Sequence, residues 1–231
     1  MSSTEHGNTG NGAERSKKTQ LVYRWVFYGI GLMVLAMGLI LNTKSSFGVS
    51  PIISVAYAPS EIWHLNFGDA SLVMYVIVAG IEYLLKWEKF RPVDLLQIPL
   101  SIVFTRFFNL FGAMLPNPED LGGRILCLVL GIVFTGIGAA LSMNARLVPN
   151  PGDGIVQALS DRIHKKPGFC KNMVDVICVC ATLVIGLVAA GRPVGIGIGT
   201  IAAMICVGRV IAAYNALFGK KVARLSGMEG R

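Results

Sequence analysis

Charge is scarce in this sequence. Only 15% of its 231 residues are Asp, Glu, Lys or Arg, against 53% hydrophobic residues, and the mean hydropathy is +0.61. A soluble domain carries roughly 25% charged residues because its surface must be solvated. A chain this poor in charge cannot cover a folded surface with polar groups, so it is a membrane protein. Histidine is scarcer still, at three residues. No Cys-x-x-Cys pair occurs among Cys127, Cys170, Cys178, Cys180 and Cys206, most of which fall inside apolar runs. That spacing argues against a zinc site or a disulfide scaffold. Phosphate-loop spacing is missing, and so is any nucleophile–base constellation. Neither an enzyme nor a cofactor or metal is expected.

The net charge of +8 is the one feature that suggests nucleic acid. Its basic residues stand in short runs between apolar segments, which is how membrane proteins place charge in their loops. Nucleic acid is therefore not an expected partner. The opening stretch is rich in Gly, Ser, Asn and Thr and has no apolar run. Residues 1–23 read as a disordered cytoplasmic tail, not a signal peptide.

Six segments are long and apolar enough to cross a bilayer, which takes about 20 residues at 1.5 Å each. They lie near 25–43, 70–86, 94–115, 124–143, 171–190 and 195–218. Two shorter apolar pieces, 51–64 and 151–164, fall between spans. With the N-terminus inside, 16 of the 21 basic residues are cytoplasmic: Arg15, Lys17, Lys18, Arg24, Lys86, Lys89, Arg91, Arg146, Arg162, Lys165, Lys166, Lys171, Lys220, Lys221, Arg224 and Arg231. Lys44, Arg124 and Arg192 remain outside. This asymmetry predicts a multi-pass protein of the bacterial inner membrane with both termini cytoplasmic.

A shift of 100 residues brings the chain into register with itself. Arg24 meets Arg124, Gly31 meets Gly131, Gly38 meets Gly138, Pro51 meets Pro151, Ser60 meets Ser160, His64 meets His164 and Gly68 meets Gly168. Arg91-Pro92-Val93 returns one residue late as Arg192-Pro193-Val194. Apolar segments match one another cheaply, so the Gly, Pro, Ser and His coincidences carry the argument. Each half holds three spans, an odd number, so the halves run in opposite senses. The expected fold is all-α, a polytopic bundle of six transmembrane helices in two inverted three-helix repeats with short half-helices. It divides into a tail (1–23), a first repeat (24–123), a second repeat (124–219) and a basic cytoplasmic tail (220–231).

In each half a polar link and a proline precede the short piece. Asn150 is a good N-cap, Pro151 suits the first helical position, and Asp153 stands where a carboxylate satisfies free amides. Gly152 and Gly154 surround it. Ser50-Pro51 repeats the cap and the proline. Two readings follow. Either the pieces are re-entrant half-helices whose positive ends meet near the midplane and hold a solute, or they lie on the membrane surface as amphipathic connectors.

The residues in this order resemble a family. The span pattern, the Pro-x-Asp-Gly element at Pro151–Gly154 and the Arg-Pro-Val-Gly-Ile-Gly-Ile-Gly-Thr run at 192–200 look like the YczE group of bacterial membrane proteins, often filed with YitT-type proteins. The resemblance covers about residues 24–218. It implies an integral inner-membrane protein of five or six spans and supplies no reaction or substrate.

Ionisable residues within spans are costly, and each is a functional candidate. Arg106 and Arg209 are expected to face a cavity and balance an anionic solute, with snorkelling to opposite interfaces as the plainer reading. Asp175 is a candidate proton-coupling group that could pair with Arg209. Glu82 is expected to pair with Lys86 at i+4 in a structural role, and His64 and His164 end the short helices. Gly29, Gly31, Gly38, Gly131, Gly136, Gly138 and Gly208 are expected to let helices approach closely. Gly195, Gly197 and Gly199 are expected to loosen the start of the sixth span. The expected function is a small secondary transporter of a small polar or anionic solute by alternating access, bound at Ser50, Pro51, Asn150, Pro151, Gly152, Asp153, Gly154, Arg106 and Arg209. The alternatives are an aquaporin-like channel or a non-transporting accessory protein that partners a membrane enzyme. Membrane lipid is a further expected partner, through the basic loop 144–171, and a homo-oligomer is left open.

Overall fold

The computed structural model describes residues 9–87, 92–165 and 167–225. Lys89, Arg91, Lys166 and Arg231, assigned above to cytoplasmic loops, lie outside them, as does the first part of the tail. Among the described residues the fold is all-helical: α1 (Thr9–Lys44), α2 (Pro51–Ile62), α3 (Phe67–Leu85), a 3-10 turn (Pro92–Leu96), α4 (Gln97–Met114), α5 (Leu121–Asn144), α6 (Pro151–Ile163), α7 (Pro167–Ala190) and α8 (Ile198–Leu225). Six of these helices are long and apolar enough to cross a membrane. The chain is a polytopic helical membrane protein.

Three element ends differ notably from the sequence expectation. Helix α1 begins at Thr9, well before residue 24, and α8 continues to Leu225 into the basic tail. Extending a helix adds one hydrogen bond per residue without a new nucleus, so a span readily carries its flanks along. The sixth span starts later than expected, at Ile198. The glycines before it serve close packing. A Cβ on Gly197 would fall 2.3 Å from the Phe47 carbonyl oxygen, and Val49 N–H donates to the Gly195 carbonyl at 2.9 Å.

Helices α1 and α5 cross at the centre with their backbones nearly touching. A Cβ on Gly38 would lie 2.3 Å from Thr135 N, and one on Gly138 2.3 Å from Leu35 N. Such contacts replace the hydrophobic drive that is absent between helices in lipid. Gly31 faces Ser142 N and Gly131 faces Asn42 N, each at 2.7 Å from a built Cβ, and the two contacts interchange under the 100-residue shift. Gly29 and Gly208 meet nothing within 4 Å, so those two do not serve close packing.

The non-glycine residues with positive φ among the described residues fall into the same register. Ser46 (φ 59°) pairs with Arg146 (φ 47°), and His64 (φ 53°) with His164 (φ 54°). The left-handed conformation is uncommon for such residues, so each pair marks a turn built the same way twice. The packing repeats as well: α2 lies against α7 and α3, while α6 lies against α3 and α7.

Helices α2 and α6 sit inside the bundle. No residue of α2 before Glu61 is exposed, and in α6 the first exposed residue is Gln157. A helix lying on the membrane surface would leave one face open along its whole length. The packing favours half-helices held within the protein over connectors laid along its surface.

Candidate functional site

The first turns of α2 and α6 meet. A Cβ on Gly152 would touch Ile52 Cδ1 at 3.0 Å, and these two residues are themselves 100 apart. Pro51 and Pro151 are buried at the first helical positions, and neither Ser50 nor Asn150 makes a side-chain cap. The Asn150 side chain lies instead close to Tyr75, which is 1% exposed and near the midpoint of α3.

Polar groups gather around this junction from four helices. Asp153 of α6 is half-buried and lies within electrostatic range of Tyr28, Tyr75, Lys171 and Asp175. Asp175 is 2% exposed, and its ion pair is with Lys171 one turn earlier on α7. That corrects the pairing with Arg209, because the i,i+4 neighbour reaches the carboxylate along its own helix. Gly154 lies directly against Glu82 of α3, where a Cβ would fall 2.2 Å from Oε2. Glu82 is 3% exposed, and its Oε1 accepts a hydrogen bond from Lys86 Nζ at 2.6 Å. The i+4 pair is as expected, but its position beside α6 was not legible.

Asn150 and Pro151 also line a narrow crevice of about 10 Å³ with Tyr28, Gln97 and Ser101. Beyond Gln97, a cavity of about 330 Å³ opens between α3 and the start of α4. Glu82 and Gln97 are among its lining residues, and Glu82 Oε2 and Gln97 Oε1, both fully buried, have no hydrogen-bond partner among the described residues. Leaving such an acceptor unsatisfied costs about 1–3 kcal/mol, and more when it is charged.

Both arginines fall elsewhere. Arg106 pairs with Asp69 at 2.7 Å, and the side chains of both are more than half exposed. Arg209 is exposed on α8. Neither joins the junction, so the cationic lining expected from them is corrected. An Arg on a peripheral helix face reaches solvent or an interfacial carboxylate at less cost than the interior. Among expected site residues, Pro51, Asn150, Pro151, Gly152, Asp153, Gly154 and Asp175 come together in or beside the junction, and Ser50 adjoins them as the residue before α2. Tyr28, Tyr75, Glu82, Gln97 and Lys171 were missed as site residues. One signal could have flagged two of them: under the 100-residue shift Tyr75 falls on Asp175 and Glu82 on Thr182.

Fold and site together define a polytopic helical membrane protein with two short helices abutting inside the bundle. The chain belongs to the family of unknown function DUF6198, matched over residues 22–216. It is similar to the uncharacterised membrane protein YczE of Bacillus subtilis (strain 168), with 28% identity over 197 residues, covering 84% of this chain and 86% of that protein. It also resembles the uncharacterised protein YyaS of the same organism, at 24% identity over 75% of this chain and 84% of that one. No solved structure matches it.

Proposed function

We propose that this protein is a small secondary transporter that moves a small polar solute across the bacterial inner membrane, with both termini cytoplasmic. The observation that carries the reading is the abutment of α2 and α6 at Ile52 and Gly152, inside the bundle and beside polar groups from four helices. Irregular backbone at membrane depth is tolerated where it is buried in protein or lines a cavity. Discontinuous helices meeting near the midplane are how many transporters hold substrate between two repeats. The spacing-100 contacts, the paired positive-φ turns and the odd number of spans per half support an inverted-topology repeat. In this reading Asp153 and Asn150 contact the solute, Asp175 with Lys171 couples a proton, and no bond-making chemistry is involved. With Arg106 and Arg209 elsewhere, little remains to favour an anionic solute.

The short helices follow the first span of each half, whereas an aquaporin-like channel places them after the second, which favours a transporter over a channel. The test is a thermal-stability screen of the detergent-purified protein against a few hundred metabolites, with Asp153→Asn in parallel. A ligand at a hundred times its dissociation constant adds about 2.7 kcal/mol if it binds only the folded state. A hit that weakens in Asp153→Asn and shows saturable counterflow in proteoliposomes supports the proposal. A hit without counterflow, or flux that never saturates, sinks it in favour of an accessory protein or a channel respectively.

A further inference from the structure

Of the two arginines outside the junction, Arg106 finds a carboxylate at Asp69. Arg209 is exposed on α8 and makes no ion pair or hydrogen bond with the described residues. It is the only charged residue between Arg192 and Lys220, eleven positions after Ile198 and eleven before Lys220. At 1.5 Å per residue that is about 16 Å from either end of the apolar stretch, the middle of a hydrocarbon layer about 30 Å thick. The Cα–Cβ bonds of a helix tilt toward its N-terminus, so the side chain starts out toward Ile198 and away from the basic end at Lys220. An arginine held at that depth in lipid is costly and calls for a partner.

The surface around Arg209 suits a helix better than it suits lipid. Only 6% of the most apolar stretch of α8 is buried in the chain, the smallest share among the six spans. The helix rests on α5, where Val207 and Val210 lie against Gly136. Away from that contact, Ile205, Gly208, Arg209, Ala212 and Ala216 stand at i, i+3, i+4, i+7 and i+11, and all five are exposed. That spacing puts them in one stripe. Three of the five are Gly or Ala, and a Cβ on Gly208 meets nothing within 4 Å. On α7, by contrast, the exposed face carries Val184, Leu187 and Val188. Large side chains make full contact with lipid tails, whereas small ones let a second backbone approach closely.

We propose that this face of α8 binds a transmembrane helix of another protein, one that carries an Asp or Glu at the middle of its span. The carboxylate pairs with Arg209, and the partner's backbone lies over Gly208, Ala212 and Ala216. Charge complementarity selects against a second copy of this chain. Among the described residues the exposed acidic ones are Glu61, Asp69, Glu119, Asp120 and Asp161, and each lies near a helix end or in a loop. Self-association through the stripe would set Arg209 against Arg209 with no carboxylate at that depth. No residue of the stripe belongs to the junction, so this docking surface stands apart from the transport reading.

A synthetic helix supplies the probe: a Leu/Ala peptide of about 20 residues, long enough to span, with one Asp at its centre. The purified full chain and the peptide are labelled and combined in phosphatidylcholine vesicles, and association is read by energy transfer. Peptides with Asn or Leu in place of the Asp are the controls. The Asp peptide is expected to associate at least tenfold more tightly than either control, and Arg209→Leu to remove that advantage. Ala212→Ile keeps the charge but obstructs the approach, and should weaken the Asp peptide several-fold. Both positions face outward, so both variants should fold. An Asp peptide that binds no tighter than the Asn peptide, or that binds Arg209→Leu like the wild type, overturns the proposal. Two rival occupants would also overturn it, each with its own signature. Energy transfer between two copies of the chain that Ala212→Ile abolishes assigns the face to self-association. Loss of the Asp advantage when phosphatidylglycerol replaces phosphatidylcholine assigns Arg209 to a lipid phosphate.

Discussion

Where α6 crosses α3, Gly154 meets the Glu82 carboxylate; where α2 crosses α7, Ser54 meets Thr182. The positions correspond across 100 residues, yet the chemistry is opposite. Ser54 and Thr182 are both fully buried, and their hydroxyls join at 2.7 Å in a closed neutral contact. Two hydroxyl protons serve three contacts here, so one hydroxyl donates across the pair and the other to a carbonyl of its own helix, Pro51 for Ser54 or Cys178 for Thr182. Its counterpart is crowded with a charge, and that carboxylate keeps an unsatisfied oxygen. At the next position the apolar Ile53, 0% exposed, answers Asp153. One backbone arrangement thus serves twice, once as a seal and once as a polar site.

The sharpest way to break this comparison is to move the carboxylate across. Ile53→Asp places a charge at a fully buried position, and an isolated buried carboxylate costs several kcal/mol. The expected outcome is failure to fold or a collapse of the unfolding midpoint in an SDS titration. The reverse change, Asp153→Ile, should fold and lose only the response to solute. A tolerated Ile53→Asp would show that the two sides are interchangeable.

Next in size is Gly154→Ala. Its methyl group would press on a buried carboxylate held by Lys86, and overpacking of this kind costs about 1–3 kcal/mol. Glu82→Ala in the same chain should restore most of the loss. If the two changes simply add in a double-mutant cycle, the contact is not what couples α6 to α3.

Thr182→Val tests the sealed side. Ser54 retains its bond to Pro51 at 2.6 Å, so only the net value of one hydrogen bond is lost, about 1 kcal/mol. Ligand stabilisation of this variant should match the wild type; a change there would draw the α2–α7 contact into the site. The smallest effect is expected from Arg106→Gln. Its pair with Asp69 is more than half exposed, and such pairs contribute about 0.2–1 kcal/mol. Solute binding that fell with Arg106 would return this residue to the site.

Much of this arrangement was legible from residue order. Pro51 and Pro151 marked the two short helices, whose first helical residues they are in the structure. Glu82 and Lys86 were recognisable as neighbours from spacing alone, as i and i+4 residues of one helix must be. Asp175 was singled out correctly as a costly intramembrane group, yet its partner was sought on α8 and stands on α7. Arg106 and Arg209 were expected inside and lie outside. The difference has one physical origin. Contacts within a helix follow from its pitch, whereas contacts between helices depend on how each is rotated about its axis.

By itself, then, the sequence determined the class of the protein, its six spans, the two short helices and their spacing of 100, because bilayer thickness and helix rise convert apolar length directly into structure. Tertiary structure decided which polar groups share a space: Asn150 with Tyr75, Gly154 with Glu82, Arg106 with an exposed carboxylate. In a soluble protein the apolar stripe of a helix reports which face is inward. In a membrane both the lipid and the core are apolar, so that stripe no longer reports direction. Rotation is set instead by close approach of small residues, as where Gly38 and Gly138 bring α1 against α5.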